Sequence, residues 1–177
     1  TSTATPATAT AQYTFAFDSW SGIPAGGEVT GDLAVTAVFT ATVNEYTVTV
    51  TVNDAEYGAV DVVTIPSVPY GTVPVVSGNT VAIDSTTVTA TPTASTAQYT
   101  YAFDSWTTPE ITGNVTFTAN FTRTLNQYTV TVAPNNAEYG SVDVSSFTVD
   151  YGTAISDVAN VLTVGSSTST ATPASPT

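Results

Sequence analysis

The nine residues Gln98-Tyr-Thr-Tyr-Ala-Phe-Asp-Ser-Trp106 recur at Gln12-Tyr-Thr-Phe-Ala-Phe-Asp-Ser-Trp20, differing only where Phe15 stands for Tyr101. Self-similarity of this kind, 86 positions apart, limits the chain to a duplicated architecture whose elements occur in matched pairs. A second series extends the match. Pro6, Pro92 and Pro173 each follow Thr-Ala-Thr, and residues 168–174 are identical to residues 1–7. The chain thus re-enters its own beginning after two periods.

Within each period the patterning is that of strands. Tyr13, Phe15 and Phe17 alternate with Thr14 and Ala16, and Leu33, Val35, Ala37 and Phe39 alternate with small or polar residues. Val115, Phe117, Ala119 and Phe121 repeat the second pattern after Gly113-Asn114, so each pair of runs is expected to form a hairpin. Trp20 falls out of phase with Phe17, which predicts an Asx-type turn or bulge at Asp18 and, by the match, at Asp104. Tyr46, Val48, Val50 and Val52 alternate with threonines, as do Tyr128, Val130 and Val132. Turn residues Asn53 to Gly58 and Asn135 to Gly140 then lead into 60–65 and 142–147, each read as one strand. Beyond Tyr70-Gly71-Thr72 two short runs, 80–83 and 86–91, complete the period. The matching stretch 154–162 has a composition that would also suit a short helix, but Pro74, Gly78 and the β-branched residues of its counterpart favour strands in both. The expected fold class is therefore all-β, turning to α+β only if a helix forms near 154–162.

Composition narrows the function. Arg123 is the only basic residue against 14 acidic ones, with no His and no Cys. No cationic patch can be assembled, which argues against nucleic acid and anionic membrane surfaces as partners. Nucleophile–base pairs, Schiff bases, imidazole or thiolate metal sites and phosphate clamps lack their side chains, so no enzyme activity, cofactor or metal is expected. Asp54, Glu56, Asp61, Glu138 and Asp143 gather near turns without EF-hand spacing and are read as turn carboxylates rather than a calcium site. No apolar run is long enough to span a bilayer, and the start Thr-Ser-Thr-Ala has neither the basic nor the apolar region of a signal peptide, which suggests a mature piece.

Tyr-Thr-Val-Thr-Val at 46–50 and 128–132, Tyr-Gly-Thr at 70–72 and 151–153, Tyr-x-Phe-Asp-Ser-Trp at 101–106 and Ile111-Thr-Gly-Asn-Val-Thr-Phe-Thr-Ala-Asn-Phe121 together carry a resemblance. In this order they resemble the Listeria–Bacteroides repeat, the internalin B-repeat-like module of bacterial and archaeal surface proteins. That resemblance implies small β-grasp-related sheets and an extracellular or cell-surface location. It departs from the family where the usual helix-bearing stretch is hydroxyl-rich and strand-like. In the family's register residues 45–123 make one complete repeat, 1–43 the trailing half of another, and 127–177 the leading half of a third, to be completed by a neighbouring copy.

Half repeats expose apolar faces and unpaired strand edges unless a partner covers them. The chain is therefore expected to associate with itself, head to tail as a homopolymer or within a longer array, as a structural filament or stalk component. The expected contact residues are Tyr13, Phe15, Phe17, Trp20 and Phe39 on the trailing half and Tyr128, Val130 and Val132 on the leading half. The alternative is an adhesin or carbohydrate-binding module in which Trp20, Trp106, Tyr13, Tyr99 and Tyr101 stack on sugar; core packing is the expected use of these rings, since each buries ~150–250 Å². Asn114 and Asn120 head N-glycosylation sequons, and the Thr/Ser-rich tracts 1–10, 86–96 and 166–177 are candidate sites of O-linked glycans.

Overall fold

A computed structural model describes residues 1–175, so the last two positions of the 127–177 segment and of the 166–177 tract lie outside the described residues. The described residues form sixteen strands and no helix. In chain order they are β1 (Tyr13–Ser21), β2 (Thr36–Val43), β3 (Glu45–Val52), β4 (Gly58–Val60), β5 (Thr64–Pro69), β6 (Val75–Ser77), β7 (Thr80–Ile83) and β8 (Thr86–Pro92). There follow β9 (Tyr99–Thr107), β10 (Val115–Leu125), β11 (Gln127–Thr131), β12 (Gly140–Val142), β13 (Ser146–Asp150), β14 (Ile155–Val158), β15 (Val161–Val164) and β16 (Ser167–Pro173). The fold is all-β. The helix alternative at 154–162 is overturned, because β14 and β15 pair there as an antiparallel hairpin with Val158 opposite Val161.

Contacts divide the chain into two compact units, Thr1–Thr91 with Phe103–Phe121 and Pro92–Ala102 with Thr122–Thr177. The first unit holds the β1–β2 hairpin and two four-stranded sheets ordered β5-β3-β10-β9 and β4-β8-β7-β6, whose strands β9 and β10 continue into the second. β3 and β10 run parallel, Val48 opposite Val115 and Val50 opposite Phe117, which requires the long crossover that the intervening strands provide. Threonine alternation decides the faces. Val48, Val50, Phe117 and Ala119 are buried while Thr49, Thr51 and Thr116 are exposed. From the opposite sheet Val81, Ile83 and Val88 pack on Val48, Ile65, Val68, Ile111 and Phe117 in one cluster, and Ala90 packs with Ala119 and Phe121 in a second.

The stretch 60–65, expected as one strand, is two. β4 ends at Val60 and β5 begins at Thr64, in different sheets, and the matched stretch 142–147 breaks the same way between β12 and β13. Asp61 causes the break: its N–H donates to the Thr89 carbonyl (3.3 Å) and its Oδ1 accepts the Thr89 N–H (2.7 Å), anchoring the crossing chain to β8. Asp143 holds Thr170 identically, at 3.2 and 2.6 Å.

In the second unit β11 pairs with β13, and β12-β16-β15-β14 form a four-stranded sheet. Its interior is thin, with Phe147, Val164 and Ser169 buried. Ser169, standing where Val88 stands in the first unit, satisfies its hydroxyl on the Val144 carbonyl (2.7 Å) and on Asp143 (3.3 Å).

Candidate assembly surfaces

The β3–β10 seam is a complete strand junction. The Asn53 carboxamide grips β10 from the side, donating to the Phe121 carbonyl (2.9 Å) and accepting the Phe121 N–H (2.9 Å), while the Asn53 N–H donates to the Ala119 carbonyl (3.1 Å). At the other end Asn114 Oδ1 accepts the Thr47 N–H (2.9 Å). The Phe121 ring meets Phe103 edge-on at 5.9 Å and lies over Gly58, where an added Cβ would stand 2.5 Å from the ring. Only glycine leaves room for it. Trp106 packs against both core clusters and lies 5.9 Å from Phe103.

The β1–β2 hairpin carries the same aromatic group in a two-stranded sheet of its own, where Ser2, Ile23 and Val35 line a depression with Trp20. Phe17 and Phe39 meet edge-on at 5.9 Å and Phe17 lies 5.8 Å from Trp20, geometry matched to Phe103, Phe121 and Trp106. Yet Phe39 is 43% exposed where Phe121 is 2%, and Val29 is 72% exposed where Ile111 is 1%. The ladder shifts register between Phe17 and Ser19, placing the expected bulge at Asp18, whose carboxylate accepts the Ser19 hydroxyl (2.9 Å). Core packing, expected of both tryptophans, describes Trp106; Trp20 is 38% exposed because, among the described residues, no second sheet lies against its two-stranded hairpin. β2 also starts late. Leu33, Ala34 and Val35 match Val115, Thr116 and Phe117, the first residues of β10, but lie outside any strand.

A complementary shortfall marks the second unit. β3 runs to Val52, whereas β11 stops at Thr131, so Val132, Ala133 and Pro134, the counterparts of Val50, Thr51 and Val52, lie outside any strand. Here a depression of about 400 Å³ opens, lined by Pro134, Tyr139, Gly140, Val142 and Ala171 among others. Tyr139 is 68% exposed, and the Asn135 carboxamide, counterpart of Asn53, has no hydrogen-bond partner among the described residues.

The contact residues expected from sequence thus fall into four groups. Phe17, Trp20 and Phe39 form one exposed cluster, and Val130 and Val132 lie half-buried on and beside the short β11 edge. Tyr13 and Phe15 pack on each other (6.1 Å) farther along the hairpin, half-buried. Tyr128 turns elsewhere: its hydroxyl donates to the Ala97 carbonyl (2.6 Å) in a clamp that also has Asn126 Nδ2 donating to the carbonyls of Thr96 (2.8 Å) and Ala97 (3.1 Å). Tyr46 and Asn44 build the same clamp on Thr10 and Ala11. Sequence reading passed over these asparagines and Asn53 because Asn among turn residues reads as turn chemistry. The one available signal was their recurrence at matched positions.

Of the sequon asparagines, Asn114 is exposed with its Oδ1 on Thr47 N–H, and Asn120 lies on the face opposite Phe117 and Phe121, donating to Thr107 Oγ1 (3.0 Å) and Ser105 Oγ (3.3 Å). Asp54 Oδ1 accepts the Glu56 N–H (2.8 Å), so this carboxylate serves its turn.

Asp143 is held below its ordinary value of 3.8, chiefly by the Thr170 backbone N–H and further by Ser169, Val144 and the Thr170 side chain, against a smaller opposing effect of desolvation. A depressed carboxylate contributes stability above its unfolded pKa and loses it as pH falls through the folded one. The second unit is therefore expected to weaken as pH drops below about 3.8. Asp143→Asn should flatten that dependence in acid-unfolding curves; equal slopes for the two proteins would count against it.

Comparison with known protein families, with curated proteins and with solved structures finds no match to this chain.

Proposed function

We propose that this chain is a structural building block of an extracellular surface filament or stalk, in which the hairpin of residues 13–43 completes the open sheets of the 127–177 segment in a neighbouring repeat. The neighbour is either a separate molecule or the next stretch of a longer covalent run. The observation that carries the reading is the paired shortfall: β2 begins three residues later than β10 and β11 ends three residues earlier than β3, at the matched positions where β10 and β3 hold each other.

Main-chain bonds alone do not drive the joint. Each contributes about 0.5–1.5 kcal/mol, while ordering a residue costs ~1–2 kcal/mol. Burial of Phe39, Phe17, Trp20 and Val35 supplies the balance, at roughly 1.5–3 kcal/mol for a large side chain. Donor and acceptor are different surfaces, so the contact is heterologous and extends into an open filament unless its rotation closes. The surface location rests on the resemblance to the Listeria–Bacteroides repeat. The adhesin reading has less support, because the exposed rings around Trp20 match rings that a facing sheet covers around Trp106.

Electron microscopy of the purified protein tests the proposal. Fibres of indefinite length are expected; monodisperse particles of one chain would overturn it. The mass of the dissociated material then separates the two forms, about 18.1 kDa for non-covalent joining and far more for a covalent run.

A further inference from the structure

We infer that Phe39 of one molecule seats beside Gly140 in a second copy of this chain, gripped through its backbone by the Asn135 carboxamide, with Ala34 lying opposite Thr131. The inference rests on the head-to-tail reading above and adds to it a register and the residues that lock it.

The first unit supplies the template. There Phe121 occupies the space over Gly58, bordered by Val52, Tyr57, Val60 and Ala90. The second unit repeats that wall as Pro134, Tyr139, Gly140, Val142 and Ala171, five residues that line the depression described above. At Gly58 an added Cβ would strike the Phe121 ring; at Gly140 it would strike the Thr172 carbonyl oxygen at 2.7 Å, so β16 already requires glycine there and the room for a ring lies along Pro134, Tyr139, Val142 and Ala171. A ring of the same kind is carried by the β1–β2 hairpin. Phe39 holds the position of Phe121, with Phe17 set against it in the same edge-on arrangement, 78° against 80°.

The polar groups agree with the same register. Asn53 makes two hydrogen bonds to the backbone of Phe121, and Asn135 repeats its side chain next to the depression. Asn114 caps the Thr47 N–H, and Asp32 at the matched position offers Thr129 an equivalent oxygen. Pro134, which replaces Val52, removes no donor from the joint. Along β3 the Val50 N–H faces the β5 side, bonding to Val63 (2.9 Å), and the Asn53 N–H faces β10, so by alternation the N–H of position 52 points away from the incoming strand.

The chain has no cysteine, so engineered thiols report the register directly. In the full chain, the double variant A34C/T131C places two solvent-facing thiols opposite each other, since Thr116 lies opposite Thr49 in the template. Oxidation is expected to give a ladder of disulfide-linked multimers on a denaturing, non-reducing gel. A34C/T129C, displaced by two residues at about 3.3 Å each along strands ~4.8 Å apart, sets the Cα atoms about 8 Å from each other, beyond the ~4.4–6.8 Å span of a disulfide, and should give none. Sedimentation of F39A and N135A should show the assembled fraction falling at least ~10-fold, with circular dichroism unchanged because both side chains are exposed in the single molecule. If the native chain polymerises but the ladder comes from A34C/T129C, or F39A assembles normally, this register fails and the head-to-tail reading survives. A link formed within one chain rules out a second copy as occupant. A native chain that stays monomeric sinks the head-to-tail reading itself, and this inference with it.

Discussion

Phe117→Ala is expected to destabilise the first unit by about 3–5 kcal/mol, the usual cost of deleting a fully buried aromatic ring. Phe117 has no exposed surface and joins Val48, Val50, Ile65 and Val68 of its own sheet to Val81, Ile83 and Val88 of the other. Small domains are stable by only about 5–15 kcal/mol in total, so this one change should shift the unfolding midpoint far enough to leave a substantial fraction unfolded at 37 °C. The matched residue in the hairpin provides the control. Val35→Ala removes a side chain that is 43% exposed and lies in no strand, and is expected to change the stability of the isolated molecule by less than about 0.5 kcal/mol. Denaturant titration followed by tryptophan emission measures both. Similar costs at the two positions would mean that the hairpin is already packed in solution, against the exposure of Val35 in the structure.

Why some of this was legible from residue order and some was not follows from the range of the interactions. Alternation fixes which side of a strand is buried, and the threonines between Val48 and Val50 or between Phe117 and Ala119 made those faces plain. Alternation does not say which sheet a strand joins. Val60 and Val62 continue one pattern across a break that depends on Asp61 meeting Thr89, 28 positions away. At 154–162 the first copy announces its hairpin with Gly78 at φ 56°, while the second keeps the left-handed turn with Ala159 at φ 53°, so the geometry persists where its sequence signal has gone. The two tryptophans differ for a similar reason. Trp20 and Trp106 sit in almost identical words, and their different exposure is set by whether a second sheet lies against the hairpin. The grip of Asn53 on Phe121 spans 68 positions, and no local rule would have found it.

Deleting residues 1–43 is expected to abolish every species larger than the monomer while leaving the first unit's two core clusters in place. All members of those clusters lie between Tyr46 and Phe121, so no buried side chain of the core is removed with the hairpin. What the remaining chain loses includes the clamp of Asn44 and Tyr46 on Thr10 and Ala11 and the bonds of Asn44 to Gln12 and Thr14, exposed hydrogen bonds whose net contribution is about 0.5–1.5 kcal/mol each. The open end at Val132, Pro134, Tyr139 and Gly140 is untouched, so the shortened chain keeps one half of the joint and lacks the other. It should therefore act as a chain terminator. Added to the native protein at a tenth of its concentration, it is expected to cap growing filaments and cut their mean length to roughly ten subunits, as in any head-to-tail polymer with one-sided stoppers. Light scattering during a titration reads that shortening. Filaments that grow to full length in an equal amount of the shortened chain, or that form from it alone, would show that the joint lies somewhere other than the hairpin.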